Sequence, residues 1–151
     1  MKRSKPLKRT RLRKRTKNKA IVLKKKCVIL AKLIARKRDG DKCQYCGVSS
    51  RTNAIHGSHI LPEGAYPLMS TEPYNIIPLC AVHHLSGANP RMGNREPSWH
   101  GDPIFFAKWF EKKWPGRYQK LLDMNKEKGQ SIFRADEHYW SEKLKELEKY
   151  D

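Results

Sequence analysis

The chain has 151 residues, a net charge of +18 and a hydrophobic content of 38%. This length and composition predict one domain with a modest core. No apolar run approaches the roughly 20 residues that a membrane-spanning helix needs. No apolar segment of the signal-peptide kind follows the basic N-terminus. We therefore expect a cytoplasmic protein that has no membrane partner.

The positive charge is concentrated in the first quarter of the chain. Residues 1–38 contain 18 Lys and Arg and no Asp or Glu, and residues 39–151 contain 15 of each sign. A basic block on a neutral body predicts a polyanionic partner, first of all nucleic acid. A targeting segment and a surface that attracts RNA nonspecifically are the alternatives. The side chains expected to contact phosphates are Lys8, Arg9, Arg11, Arg13, Lys14, Arg15, Arg91 and Arg95.

The chain begins with a basic segment and a helix. Residues 1–19 have almost no apolar content, which predicts disorder until a polyanion binds. Residues 20–38 have apolar side chains at near-helical spacing and predict a helix with a basic face. Asp39-Gly40 ends this helix. Cys27 lies among its apolar positions, so we expect a buried thiol.

The middle of the chain predicts two short strands and a short helix. The strands are expected at 53–61 and 74–79, joined by a loop rich in Pro, Gly and Ser. The helix begins near Cys80 and ends near Gly87, and residues 88–102 look like a loop.

Three helices are predicted after this loop. The first begins at Pro103 with Asp102 as its cap, and it has an aromatic face that we expect to lie in the core. The second runs through YQKLLDMNKEK and ends at Gly129. The third has Trp140, Leu144 and Leu147 at helical spacing.

Four residues have the spacing of a metal site. Cys43 and Cys46 form a C-x2-C pair, and Cys80 and His83 form a C-x2-H pair 33 residues later. Two such pairs can close a tetrahedral site whose thiolate and imidazole ligands suit structural zinc. A redox-active Cys43/Cys46 pair is the alternative, but that pair is expected between a strand and a helix, and here it lies in a turn.

Two histidines stand side by side in this second pair. Adjacent side chains on a helix point in different directions, so His84 is expected to serve a different site from His83. Its candidate partners upstream are His59, in HGSHILP, and Asn75, in YNIIPLC.

These residues together resemble the HNH endonucleases, which have the ββα-metal fold. The match covers about residues 36–86, beginning with RKRDGDKCQYCG and ending with NIIPLCAVHH, and the later SWHGDPIFFAKWF is similar to an extension of phage-type members. The resemblance implies an α+β fold. A small ββα-metal core with a structural Zn²⁺ site would be flanked by the N-terminal basic helix and by C-terminal helices.

The resemblance also implies a division of the chain. Residues 1–19 would be a basic tail, residues 20–114 the HNH domain with its N-terminal helix, and residues 115–151 a helical extension. A phage-encoded protein of this kind would act in the host cytoplasm.

The resemblance assigns three catalytic roles. His59 would be the general base that takes a proton from the attacking water. His84 would bind a divalent cation such as Mg²⁺, Mn²⁺ or Ni²⁺. Asn75 would hold the loop between the strands and help to orient His59.

One position departs from the family pattern. Many HNH proteins have an acidic residue or a histidine directly before the base, where it helps to bind the metal, and this chain has Ser58. A hydroxyl is a poor ligand for such a cation. His100 is the first candidate for a replacement ligand. His56 is the second, because strand alternation places it on the opposite face from His59 unless Gly57 introduces a bulge.

The leading hypothesis is a metal-dependent DNA endonuclease that hydrolyses phosphodiester bonds, without a small-molecule cofactor. No base-reading element is visible, so we expect low sequence specificity or recognition of a DNA structure. A nonenzymatic zinc-bound protein that binds DNA or assists recombination is the alternative. An RNA-binding accessory protein dominated by its basic tail is a third hypothesis.

Overall fold

The computed structural model describes residues 11–85, 87–89, 94–129 and 136–150. Within these ranges the helices are α1 (Arg11–Arg38), α2 (Ala81–His84), α3 (Pro103–Lys113), α4 (Arg117–Glu127) and α5 (Glu137–Glu148). Strands β1 (Ile55–His59) and β2 (Ile76–Cys80) form one antiparallel sheet, and β3 (Ala88–Asn89) and β4 (Asn94–Arg95) form another. None of the helices in these ranges combines the length and the apolar character required to cross a membrane. The fold is a small α+β fold, as predicted.

Helix α1 is longer than predicted, because it begins at Arg11 and not near residue 20. The helix therefore includes residues 11–19, for which we predicted disorder, and residues 1–10 lie outside the described residues. Lys and Arg are good helix formers, and adding residues to an existing helix avoids the unfavourable nucleation step. The predicted buried thiol is confirmed, since Cys27 is fully buried.

The β1–β2 hairpin and helix α2 form a compact ββα unit. The strands pair in continuous register from Ile55 opposite Cys80 to His59 opposite Ile76, without a bulge. Strand β2 is buried along its whole length, and α2 begins at the residue after its end. This unit is compatible with the predicted ββα core.

Two hydrophobic clusters hold the helices against this unit. The first joins the hairpin and the Cys43 turn to α3 and α4, through Phe106, Phe110 and Leu121. The second joins α1 to α5, where Trp140 and Leu147 pack with the small residues of α1. Burial of Trp140 and Leu147 confirms the predicted apolar face of α5, and this face covers α1.

The region after α2 differs in two details from the prediction. The expected 88–102 loop contains the short β3–β4 hairpin. Asp102 occupies the cap position of α3, but its side chain makes no capping hydrogen bond to that helix. It accepts instead from the backbone N–H of Ser98, at 3.3 Å. Phe106 and Phe110 are buried as expected, whereas Phe105 is 45% exposed and does not belong to the core.

A buried ion pair connects α5 to the loop between β1 and β2. The Nζ atom of Lys143 lies 2.6 Å from Oε1 of Glu72, and Nζ of Lys128 lies 2.9 Å from the same oxygen. Burial by itself raises the pKa of Glu72, but the two ammonium groups together hold it below its ordinary value. Breaking a buried pair leaves an uncompensated charge, so this contact ties α5 to the loop.

Candidate metal clusters and active site

Three cysteines and one histidine meet beside the end of β2. One ligand atom from each of Cys43, Cys46, Cys80 and His83 lies within 4.8 Å of all the others. Nδ1 of His83 is 3.1 Å from Sγ of Cys80 and 3.7 Å from Sγ of Cys43. These separations suit atoms that share one tetrahedral ion, given metal–sulfur and metal–nitrogen bonds of about 2.3 and 2.1 Å. The cluster is consistent with a structural metal.

The local backbone explains how the two pairs come together. Cys43 and Cys46 lie in a tight turn that closes through a hydrogen bond from the Cys43 N–H to the Val48 carbonyl, at 2.8 Å. Cys80 is the last residue of β2, and His83 lies in the following turn of helix. Cys43, Cys80 and His83 are buried, and Cys46 is exposed.

The thiols of this cluster differ in their pKa values. A hydrogen bond with the Cys80 thiol lowers the pKa of Cys43 to about 4, and the same interaction raises the pKa of Cys80. Cys43 is therefore the more acidic thiol of this pair, and burial raises the pKa of Cys46. Thiolates are the form that binds a metal ion.

Glu96 orients the His83 ring, and the sequence analysis did not identify it. Nε2 of His83 donates to Oε2 of Glu96 at 2.8 Å, so its unprotonated Nδ1 faces the sulfurs. A carboxylate behind a ligating histidine is a common arrangement in metal sites. Glu96 reaches this position because its N–H donates to the carbonyl of Gly87, at 2.8 Å. A Cβ at Gly87 would lie 1.9 Å from the Glu96 carbonyl oxygen, so this approach requires glycine.

His84 belongs to a second cluster, which contains only histidines. Its Nδ1 is 3.0 Å from Nδ1 of His56, and its ring centroid is 5.0 Å from that of His100. Burial, followed by repulsion from His100 and His56, lowers the pKa of His84 to about 4. The imidazole is therefore neutral at physiological pH and offers a lone pair.

Both candidate replacement ligands thus lie beside His84. His56, the second candidate, is the one in hydrogen-bonding contact with it. The absence of a bulge keeps His56 on the opposite face of β1 from His59, and this is the face that meets α2. Ser58 lies between His56 and His59 in strand β1 and is 1% exposed. Its hydroxyl has no hydrogen-bond partner among the described residues.

His59 is held by the loop between the strands. Its Nε2 donates to the carbonyl of Ser70 at 3.0 Å, which leaves Nδ1 unprotonated. Burial lowers the pKa of His59, so the neutral ring is the stable form near neutral pH. His59 also contributes to the lowered pKa of His84, so the two rings lie within electrostatic range.

Asn75 connects the two ends of that loop. Its Oδ1 accepts from the N–H of Leu61 at 2.7 Å, and its Nδ2 donates to the carbonyls of Leu61 and Met69 at 3.1 and 3.0 Å. Met69 directly precedes Ser70, whose carbonyl holds His59. The fully buried Asn75 therefore fixes the segment that orients the imidazole.

The structure informs only part of the predicted phosphate-contacting set. Lys8, Arg9 and Arg91 lie outside the described residues, and Arg11, Arg13, Lys14 and Arg15 lie in the first part of α1. Arg95 is exposed and lies 3.4 Å from Asp102 through its Nη2 and a carboxylate oxygen. Its contact with nucleic acid stays a prediction.

The family resemblance rests on the residues and geometry of this chain. Comparison with protein-family models, with curated proteins and with solved structures gave no match. The Cys3His cluster beside a small ββα unit is compatible with a zinc-binding HNH-like fold.

Proposed function

We propose that this protein is a metal-dependent DNA endonuclease of the HNH type that contains a structural zinc ion. The observation that supports it best is the setting of His59. A neutral, loop-anchored imidazole with an unprotonated Nδ1 lies within electrostatic range of a second, histidine-only cluster. The structural zinc is proposed because three thiolates and one imidazole are its preferred donors.

The proposed reaction is hydrolysis of a phosphodiester bond. Nδ1 of His59 takes a proton from a water molecule, and the water oxygen attacks phosphorus as the bond to the leaving sugar oxygen breaks. Asn75 keeps the Ser70 carbonyl in place, so that the ring stays in the tautomer that can accept this proton.

His84 and His56 are the residues that would hold the catalytic cation, and the His100 ring lies beside them. When bound, a divalent cation stabilises negative charge on the phosphate and on the leaving oxygen. The Nδ1 atoms of His84 and His56, 3.0 Å apart, suit two ligands of one ion with bonds of about 2.1 Å. An imidazole set favours Ni²⁺ or Co²⁺ over Mg²⁺ and Mn²⁺, which prefer oxygen ligands.

DNA is the proposed substrate because of the charge distribution. Helix α1 lies within the block that contains 18 Lys and Arg and no acidic residue. Contacts with phosphates release counterions, so affinity should fall steeply with salt. Such contacts do not read sequence, which supports low specificity or recognition of DNA structure.

Ser58 favours a second candidate function. A buried hydroxyl stands where many HNH proteins place a metal ligand, and a site that binds metal weakly would leave a zinc-bound protein that holds DNA without cutting it. This nonenzymatic protein would bind DNA and assist another activity such as recombination.

The test is cleavage of supercoiled plasmid and of branched DNA with Mg²⁺, Mn²⁺, Ni²⁺ or Co²⁺ present. We expect the wild type to nick or linearise the DNA, and His59→Ala to cleave about 10²- to 10⁴-fold more slowly. The matched control is His138→Ala, since His138 is exposed on α5, and it should cleave like wild type.

Zinc content is measured in all three proteins to show that they share one fold. Equal cleavage by wild type and His59→Ala would show that His59 is not the general base. No cutting by any zinc-loaded protein, with DNA binding retained, would establish the nonenzymatic alternative.

A further inference from the structure

Lys32 of helix α1 crosses strand β1 at Gly57. A Cβ added to Gly57 would lie 2.7 Å from Cγ and 2.9 Å from Cβ of Lys32. Such distances are far below van der Waals contact, so the strand and the helix can approach only because this position lacks a side chain. The stem of Lys32 occupies the space that a side chain at Gly57 would fill.

This crossing point lies on the His59 face of the strand. Residues two apart on a strand share a face, so Gly57 and His59 point to the same side of β1. Cγ2 of Ile76, the cross-strand partner of His59, lies 3.1 Å from the same added Cβ. The Lys32 stem therefore packs on the face of β1 that carries His59, the residue that we propose as the general base.

The charge of Lys32 reaches both histidine sites. It contributes to lowering the pKa of His59 and of His84, and it also contributes to lowering the pKa of Glu63. Its ammonium group therefore lies within electrostatic range of His59.

Among the described residues, no carboxylate forms an ion pair with Lys32. Lys24, two turns earlier, pairs with Glu63 at 2.9 Å, but no ion pair or hydrogen bond within the described ranges involves the Lys32 ammonium. A half-buried lysine within electrostatic range of a neutral imidazole would attract a negatively charged ligand. An ordinary solvated lysine would not need a glycine beneath its stem.

We propose that Lys32 is a catalytic residue whose ammonium group contacts a non-bridging oxygen of the scissile phosphate. This inference rests on the proposed nuclease function. In the transition state the phosphate oxygens gain negative charge as the water oxygen adds, and a cation already fixed by packing stabilises that charge. Helix α1 then contributes one side chain to the reaction in addition to any general attraction for DNA.

The test compares Lys32→Met with Lys112→Met, in single-turnover cleavage at saturating DNA. Methionine keeps an unbranched stem over Gly57 and removes the charge. Lys112 is an exposed lysine of α3, so its variant is the matched loss of one positive charge. We expect Lys32→Met to cleave about 10²- to 10³-fold more slowly, as for loss of one transition-state donor. Lys112→Met should stay within about twofold of wild type.

Lys32→Arg is the variant that separates charge from packing. We expect it to recover part of the cleavage rate, because it restores a cation at the same position. Zinc content and thermal unfolding of every variant show whether the fold is kept. Equal cleavage rates for folded Lys32→Met and Lys112→Met would overturn the proposal.

A second measurement keeps this test separate from that of the nuclease function. DNA affinity of His59→Ala and of His59→Ala/Lys32→Met is measured with an intact duplex and Mn²⁺. We expect the double variant to bind more weakly than His59→Ala/Lys112→Met. If wild type never cleaves, the proposed nuclease function fails. Weaker DNA binding by His59→Ala/Lys32→Met than by His59→Ala/Lys112→Met would then still support a phosphate contact at Lys32. Equal binding by these two double variants would overturn that contact.

Discussion

The two neighbouring histidines of α2 serve two chemically different clusters. His83 is buried, faces three sulfurs and is oriented by a carboxylate. His84 faces only imidazoles, and no carboxylate is in contact with it among the described residues. The first set brings four donor atoms within reach of one ion, whereas the proposed catalytic site has two converging imidazole nitrogens and would leave coordination positions open. A closed site suits a structural role, and an open one suits chemistry.

The largest expected difference between the two clusters is the difference between the variants Cys80→Ser and His84→Ala. Loss of a buried thiolate should unfold the domain, because structural zinc contributes about 10–16 kcal/mol in small peptides and domains are stable by only about 5–15 kcal/mol. His84→Ala should fold with full zinc content and lose cleavage by at least about a hundredfold. Circular dichroism, zinc content and plasmid cleavage measure these effects.

Cys80 and His84 are four residues apart, so the pair compares two positions in one short segment. A folded Cys80→Ser protein without zinc would show that the cluster is not structural. Loss of zinc in His84→Ala would show that the two clusters are not separate.

A smaller effect is expected from Glu96→Gln. Glutamine keeps the shape but replaces the carboxylate that accepts from Nε2 of His83, so the ligand becomes less basic. Loss of such a partner typically weakens metal binding about 10- to 100-fold. Competition with a chromogenic chelator measures it, with the exposed Glu127→Gln as control. Unchanged affinity would mean that Glu96 only closes the loop.

The smallest effect concerns the pH dependence of cleavage. Burial lowers the pKa of His59 below its ordinary 6.5, Lys32 and Lys24 lower it further, and the Ser70 hydrogen bond and Glu63 oppose them. A general base must be unprotonated to accept a proton, so the midpoint of the acid limb in the pH profile of the single-turnover rate should lie below pH 6.5. Lys32→Met should move this midpoint to higher pH by less than about one pH unit, because it removes a cation that lowers the pKa of His59. A limb above pH 6.5 would contradict the assignment of His59.

The Cys3His cluster could be predicted from the sequence because local spacing determines it. Each pair lies within a single turn, so local backbone geometry alone brings its two ligands together. Cys43 and Cys46 form one half of the site, and Cys80 and His83 form the other. Glu96 could not be predicted in the same way. Its position depends on the β3–β4 hairpin and on the close approach at Gly87, neither of which has a clear sequence pattern.

The second cluster shows a limit of strand alternation as an argument. Alternation placed His56 on the opposite face from His59 correctly, and we ranked it below His100 for that reason. Helix α2 packs against that same face and brings His84 into contact with His56, so the strand face alone does not rank the two candidates. Which face a helix covers is a property of tertiary packing.

The charge of α1 is visible in the sequence, but the packing of its Lys32 stem on Gly57 is not. Lys32 looked like one more lysine in a basic helix. Only the close approach of α1 to Gly57 separates it from the others. Contacts between a first helix and a later strand cannot be read from periodicity within either element.

The packing of α5 on α1 has a consequence for synthesis of the protein. Sγ of Cys27 donates to the carbonyl of Trp140 at 3.4 Å, across 113 residues of sequence. The part of the inner face of α1 that contacts α5 therefore stays uncovered on the ribosome until α5 has been translated. Contacts this distant form late, because a long loop must close first. Helix α1 reaches its final environment only when α5 has been translated, so a nascent chain carries this basic helix before the packing around it is complete.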